Sequence, residues 1–302
     1  MRPYIFRLPE FLGELPDWIP VVGGTQVGGR PIFSYGVMLG ISFLLGWLLS
    51  SFFVERFGYS RSRTNRLFLF AGVGAIVGAR LLYFIASARG EFTVITFFQF
   101  QKGGLVAYGG FLGGLLASAV AALVMKEEWW GRSDAVAPAL ALGTGVTRLG
   151  CFLYGCDFGK QTGAGWSLNF PRWSNPATEA WIPGGSPAFS QHFHGTGTLS
   201  VISESVHPTQ LLMSLNGILG FVVLMLVLPY RKFRGQILLL FLVYYGSTRF
   251  LVELLRGDKI RGTTTLGLPL STSQFVSLLI LLGVVPLWFW LARRDAKKVT
   301  SG

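Results

Sequence analysis

Seven long apolar runs dominate this chain, and they dictate a lipid bilayer as its setting. They cover roughly 33–55, 66–87, 105–125, 135–156, 208–229, 236–256 and 271–292. A bilayer core takes about 20 helical residues. Within it every backbone N–H and C=O must bond inside its own segment, which leaves the helix as the available form. The expected fold is therefore all-α: a polytopic integral membrane protein with about seven transmembrane helices. Composition agrees, since 51% of the 302 residues are hydrophobic and only 13% are charged. A soluble domain carries about 25% charged residues.

The formal net charge is +12, and the basic residues cluster between the runs. Arg56, Arg61, Arg63 and Arg66 separate runs one and two, and Lys126 and Arg132 separate three and four. Arg231, Lys232 and Arg234 separate five and six, and Arg293, Arg294, Lys297 and Lys298 follow run seven. Alternating spans put all four groups on one side, and basic loops mark the cytoplasm. The N-terminus is then outside and the C-terminus inside. The pattern speaks for membrane orientation and against nucleic acid, since no basic groove with interleaved aromatics is present.

Five segments follow. Residues 1–32 lack a continuous apolar stretch, so they read as a periplasmic interfacial segment rather than a cleavable signal; Trp18 and several prolines suit that setting. Residues 33–156 hold spans one to four. Residues 157–206, rich in Gly, Pro, Ser, Trp and His, form a periplasmic head between spans four and five. Its aromatics Trp166, Phe170, Trp173, Trp181, Phe189 and Phe193 argue against full disorder. Spans five to seven occupy 207–292, and 293–302 is a cytoplasmic tail. The apolar stretch 92–101 is too short to cross and reads as interfacial or re-entrant.

Ionisable groups inside the runs are few: Arg80, Arg148, Arg249 and Glu253. An arginine at a helix centre costs about 3 kcal/mol on insertion scales. Tyr245, Arg249 and Glu253 recur at intervals of four, so a helix puts them on one face. One glutamate cannot neutralise three arginines, and the excess points to an anionic ligand, with phosphate the natural match for guanidinium. Arg256 sits nearer the outer boundary and can snorkel. Cys151 follows Arg148 by three positions. The glycines of G-T-G-V-T-R-L-G, and the pairs Gly109/Gly113 and Gly110/Gly114, allow close helix approach. Tyr35 and Tyr108 are either interfacial aromatics or site residues.

Cys151 and Cys156 cannot build a tetrahedral zinc site alone, and His192, His194 and His207 lie far along the chain, so no metal and no cofactor is expected. Five residues of helix would place the two thiols on different faces, which argues against a local bridge. The residues alone leave a transporter, a lipid-binding protein and an enzyme open.

The order of motifs narrows this. S-Y-G-V-M-L-G, G-A-R-L-L-Y, A-Y-G-G-F-L-G-G, T-R-L-G-C-F-L-Y-G-C-D-F-G, H-P-T-Q-L-L and Y-G-S-T-R-F-L-V-E-L-L-R follow one another along the chain. In this order the sequence resembles the bacterial prolipoprotein diacylglyceryl transferases. The resemblance implies transfer of a diacylglyceryl group from phosphatidylglycerol to the lipobox cysteine of a preprolipoprotein signal peptide, in the bacterial inner membrane. A thioether forms and glycerol phosphate leaves. It also implies catalytic roles for Tyr108, Arg148, Arg249 and Glu253, and substrate contacts for Tyr35, Arg80, Arg148, Cys151, Gly159, Tyr245 and Arg249. Two positions depart from the family pattern. Tyr108 stands where the family often has histidine, and Cys151 where it has asparagine. A related transferase with a different acceptor is the alternative these departures suggest.

Overall fold

The structure is a computed structural model that describes residues 4–7, 31–86, 93–99, 104–173, 185–193, 200–258 and 269–300. It is helical apart from one two-stranded ribbon, β1 (Tyr4–Arg7) with β2 (Pro31–Phe33). The helices are α1 (Ser34–Arg56), α2 (Arg61–Ala86), α3 (Val94–Phe98), α4 (Ala107–Val124) and α5 (Trp129–Tyr154), then α6 (Pro187–Phe193), α7 (Thr209–Val227), α8 (Gln236–Glu253) and α9 (Thr272–Thr300). Six of these, α1, α2, α4, α5, α7 and α9, are long and apolar enough to cross a bilayer. The chain is thus a multi-pass membrane protein. The ribbon brackets the N-terminal stretch read as interfacial; Trp18 and its neighbouring prolines lie outside the described residues, as does Trp181.

The contacts divide the chain into two compact units, one of 47–132 and the other of 31–46 with 133 onward. In the first, α2 and α4 meet along a seam of glycines. A Cβ on Gly78 would run into the Gly109 carbonyl, one on Gly109 into the Gly78 carbonyl, and Gly74 and Gly113 are related in the same way. The Gly109/Gly113 pair was legible as a close-approach signal, and its partners Gly74 and Gly78 carry the same spacing. Without a hydrophobic driving force in lipid, this backbone contact is what holds such helices together. At one end of the seam Arg132 donates to Thr64 Oγ1 at 2.8 Å, to the Ser60 carbonyl at 3.2 Å and to Glu127. Arg63 pairs with Glu127 at 2.9 Å.

The short apolar stretch forms α3, opened by a capping box in which Thr93 and Thr96 satisfy each other's backbone N–H. Arg80 holds it in place. Its guanidinium donates to the carbonyls of Thr96 (2.7 Å), Phe97 (3.0 Å), Gln99 (3.2 Å) and Gly104 (2.9 Å).

In the second unit α5 contacts its neighbours through glycines. Gly143 accepts from Ser42 Oγ at 2.8 Å, Gly150 packs on the α1 backbone at Tyr35, and Gly145 lies against Gly217 of α7. Asp134, near the start of α5, caps α8 from outside its own helix. One carboxylate oxygen accepts from the N–H of Ile237 (2.8 Å) and Leu238 (3.1 Å), the other from Gly235 N–H (2.8 Å). These are donors that a helix start otherwise leaves unpaired. Gly235 can open α8 because its left-handed backbone, φ 96°, suits glycine. Helix α8 therefore begins beside the start of α5 and ends beside Asp157, just past its end. It covers the same path as α5, although Arg249 and Glu253 make it more polar.

Beyond α5 the chain builds a small core of Phe158, Phe170, Ala188 and Val206, with Phe152 packed against it. Backbone bridges Gln161–Val206, Leu168–Val206 and Pro171–Ile202 tie this layer together. The aromatics Phe170, Trp173 and Phe189 are buried in it, whereas Trp166 is exposed.

Candidate functional site

The end of α5 organises the site. Residues Val146–Tyr154 continue the helix, and Gly155 then adopts φ 80°, a left-handed conformation open to glycine at little cost. Gly155 N–H bonds the Cys151 carbonyl at 2.8 Å and the Phe152 carbonyl at 3.2 Å, and Cys156 N–H bonds the Cys151 carbonyl at 3.1 Å. This is a Schellman termination. It turns the chain back on itself, so Cys156 and Asp157 return to the face of α5 that carries Arg148 and Cys151.

Arg148 donates to one oxygen of Asp157, and Arg256 donates to the other at 2.5 Å. Arg256 also grips Asp258 with two bonds, at 2.9 and 2.6 Å. Arg249 pairs with Glu253 at 2.8 Å and donates to Ser273 Oγ of α9 at 2.9 Å. Burial opposes the charge on Asp157, but the Arg148 and Arg256 guanidiniums outweigh it and hold the carboxyl well below the usual carboxylate range. Tyr35 and Tyr245 lie within electrostatic range of Arg148, as does Arg249 of Asp157.

Two expectations change here. The positive excess inferred for the spans is absent from this cluster, where Arg148, Arg249 and Arg256 face Asp157, Glu253 and Asp258. Arg256, read as snorkelling, is 6% exposed and sits among three carboxylates. The acids were missed because both lie outside the apolar runs, where a lone aspartate carries no signal. Thr209 and Gln210 were also missed as support. Both are buried, and they donate to the carbonyls of Asp157 (2.6 Å) and Cys156 (2.7 Å). Their signal was the polar H-P-T-Q start of an apolar run.

Exposure differs across the cluster. The side chains of Arg148 and Asp157 are 19% and 26% exposed, against 6% for Arg249 and 7% for Arg256. Cys151 is buried, with its Sγ 3.8 Å from the Arg148 guanidinium. Gly159 lets two strands of backbone cross, since a Cβ there would meet His207 and the Leu255 carbonyl. The Cys151 and Cys156 sulfurs and an Asp157 oxygen lie within 4.8 Å of one another, a spacing a metal could use. Both Asp157 oxygens already serve guanidiniums, so such an ion would be left with two thiols beside two positive charges. Arg80 and Tyr108 belong to the other unit. There Arg80 is engaged by carbonyls, and Tyr108 is the half-buried second residue of α4.

The family model described as Prolipoprotein diacylglyceryl transferase matches residues 24–290. The chain belongs to the prolipoprotein diacylglyceryl transferase family. Curated relatives agree along nearly the whole length. The second phosphatidylglycerol–prolipoprotein diacylglyceryl transferase of Clostridium perfringens (strain 13 / Type A) is 30% identical over 270 residues, 87% of this chain and 92% of its own. Its counterpart in Clostridium tetani (strain Massachusetts / E88) is 30% identical over 266 residues, 86% and 93%. That of Burkholderia mallei (strain SAVP1) is 30% identical over 290 residues, 92% and 96%. This diacylglyceryl transferase family member carries Arg148, Arg249 and Glu253 on two helices that end at one place, with Asp157 between Arg148 and Arg256.

Proposed function

We propose that this protein transfers the diacylglyceryl group of phosphatidylglycerol to the lipobox cysteine of a prolipoprotein signal peptide. It is an enzyme of bacterial lipoprotein maturation. Family membership over residues 24–290 supports the reaction, and the open pair Arg148–Asp157 supports its location. The acceptor sulfur attacks the glyceryl carbon, the carbon–oxygen bond to phosphate breaks, and glycerol phosphate leaves with the electron pair. The thiol proton must go to a base, and charge grows on the departing phosphate oxygen.

A preformed cationic group facing that oxygen stabilises the transition state more than the ground state. Arg148 fills this role: it is the more open guanidinium, and Asp157 holds it in the absence of substrate. A phosphate reaching Arg148 exchanges one anion for another, so no bare charge is ever buried. Arg249, held in place by Glu253 and Ser273, is the second guanidinium offered to the phosphate. Tyr35 and Tyr245 flank the headgroup, while Cys151 and Gly159 line the end of α5 against it. The family pattern makes Tyr108 the candidate for the thiol and Arg80 a candidate substrate contact.

Helix α8 is a seventh span, since it travels from the start of α5 to its end. The basic groups then share the cytoplasmic side. The site and the residues after α5 face the periplasm, with the N-terminus outside and the C-terminus inside. Within the second unit, Arg231 approaches Asp134 at 3.5 Å and Arg234 N–H bonds Asp295 at 2.8 Å, which supports a shared end for these helices.

The test is a transfer assay. Purified protein, phosphatidylglycerol and a lipobox peptide are mixed and the peptide mass is followed. A gain of one diacylglyceryl unit, lost in Arg148→Ala, is expected. Wild-type transfer by Arg148→Ala would remove Arg148 from the chemistry. Bound phosphatidylglycerol without transfer would favour a changed acceptor or a binding protein, and anion flux without product a transporter.

A further inference from the structure

Cys151 and Cys156 are the two thiols of this chain, and the transfer chemistry above leaves their pairing unexplained. Straight helix would have separated them. The Schellman turn instead makes Cys151 the third-from-last helical position and Cys156 the second residue after the cap. In this motif those two side chains commonly touch. Here their sulfurs lie within 4.8 Å, and Cys156 Sγ also points at the Cys151 carbonyl, 3.8 Å away. Cys156 is half-buried and Cys151 buried, so a reagent meets Cys156 first.

We infer that Cys151 and Cys156 form a redox-active dithiol that closes to a disulfide and slows the enzyme. The oxidant is a small-molecule or protein disulfide. Cys156 thiolate attacks one sulfur of that disulfide, releasing a thiol and leaving a mixed disulfide. Cys151 thiolate then attacks the Cys156 sulfur, and the second thiol leaves. Two protons and two electrons pass from the pair to the oxidant, and thiol reductants reverse both steps.

Closure reaches the site through contacts already present. Cys151 Sγ lies 3.8 Å from the Arg148 guanidinium, so drawing it toward Cys156 takes an acceptor from Arg148. Asp157 adjoins Cys156, so the bridge also pins the carboxylate that Arg148 must release to meet a phosphate. The effect on rate rests on the proposed function; bridge formation does not.

Purified protein in detergent is incubated with oxidised glutathione, denatured, alkylated and weighed. The expected product carries neither alkyl groups nor glutathione, regains two alkylatable thiols after dithiothreitol, and transfers diacylglyceryl several-fold more slowly until reduced. Cys156→Ser should match reduced wild type in transfer and ignore oxidised glutathione. Two alkylated thiols, or a lasting glutathione adduct on Cys156, would overturn the bridge. A fully bridged protein with unchanged transfer would overturn its control of the site. The bridge is read by mass, so a reduced protein with no transfer would count against the proposed function alone.

Discussion

Arg148 and Asp157 are nine residues apart and joined by an ion pair, because the chain reverses at Gly155 between them. The pair ties a residue inside a span to one beyond its end, and Arg256 shares the same carboxylate.

Asp157→Asn should therefore leave two guanidiniums under-compensated. Losing charge-assisted bonds at a part-buried site costs about 2 kcal/mol. Thermal unfolding in detergent should shift down and transfer should fall, with phosphatidylglycerol binding retained. Unchanged melting and rate would mean that Asp157 neither holds nor releases Arg148.

Acid should act through the same group. The folded carboxyl of Asp157 titrates below its unfolded value, near 4 for an aspartate. Its contribution is fully present above that value and is lost as pH falls toward the lower folded one. Stability followed by tryptophan fluorescence should decline below about pH 4, where unfolded aspartate begins to bind protons. Asp157→Asn should show a flatter profile. An identical acid decline in both would assign the effect to other carboxylates.

Asp134→Ala should expose the start of α8. Three backbone donors lose their acceptor, where removing a single cap costs about 1 kcal/mol. Lower melting temperature and faster proteolysis near Gly235 are expected, and Asp134→Asn should be milder because its oxygen still accepts. A melting curve that Asp134→Ala leaves in place would show that the cap is dispensable.

The glycine seam gives a paired test. Gly113→Val puts side-chain atoms into the Gly74 carbonyl and should separate α2 from α4, lowering folded yield. Gly283→Ala meets nothing within 4 Å and should be neutral or slightly stabilising. Equal yields from the two variants would show that the seam does not depend on close approach.

The apolar runs were enough to specify helices and a membrane setting, and six of the seven became helices long and apolar enough to cross a bilayer. Lipid admits few backbone forms, so hydropathy alone decides most of this. The alternation of Tyr245, Arg249 and Glu253 was also legible, because i,i+4 neighbours are fixed by helix geometry. Asp157, Arg256 and the two thiols were not. The apolar pattern runs on through Cys156, and a reading by period carries the helix with it, placing the thiols on different faces. One left-handed glycine ends the helix at Tyr154 instead, and the conformation of a single residue leaves no periodic trace. Asp134 found its backbone partners, and Asp157 its second guanidinium, Arg256, only when helices distant in sequence came together, and pairing across about 100 residues lies beyond any local pattern.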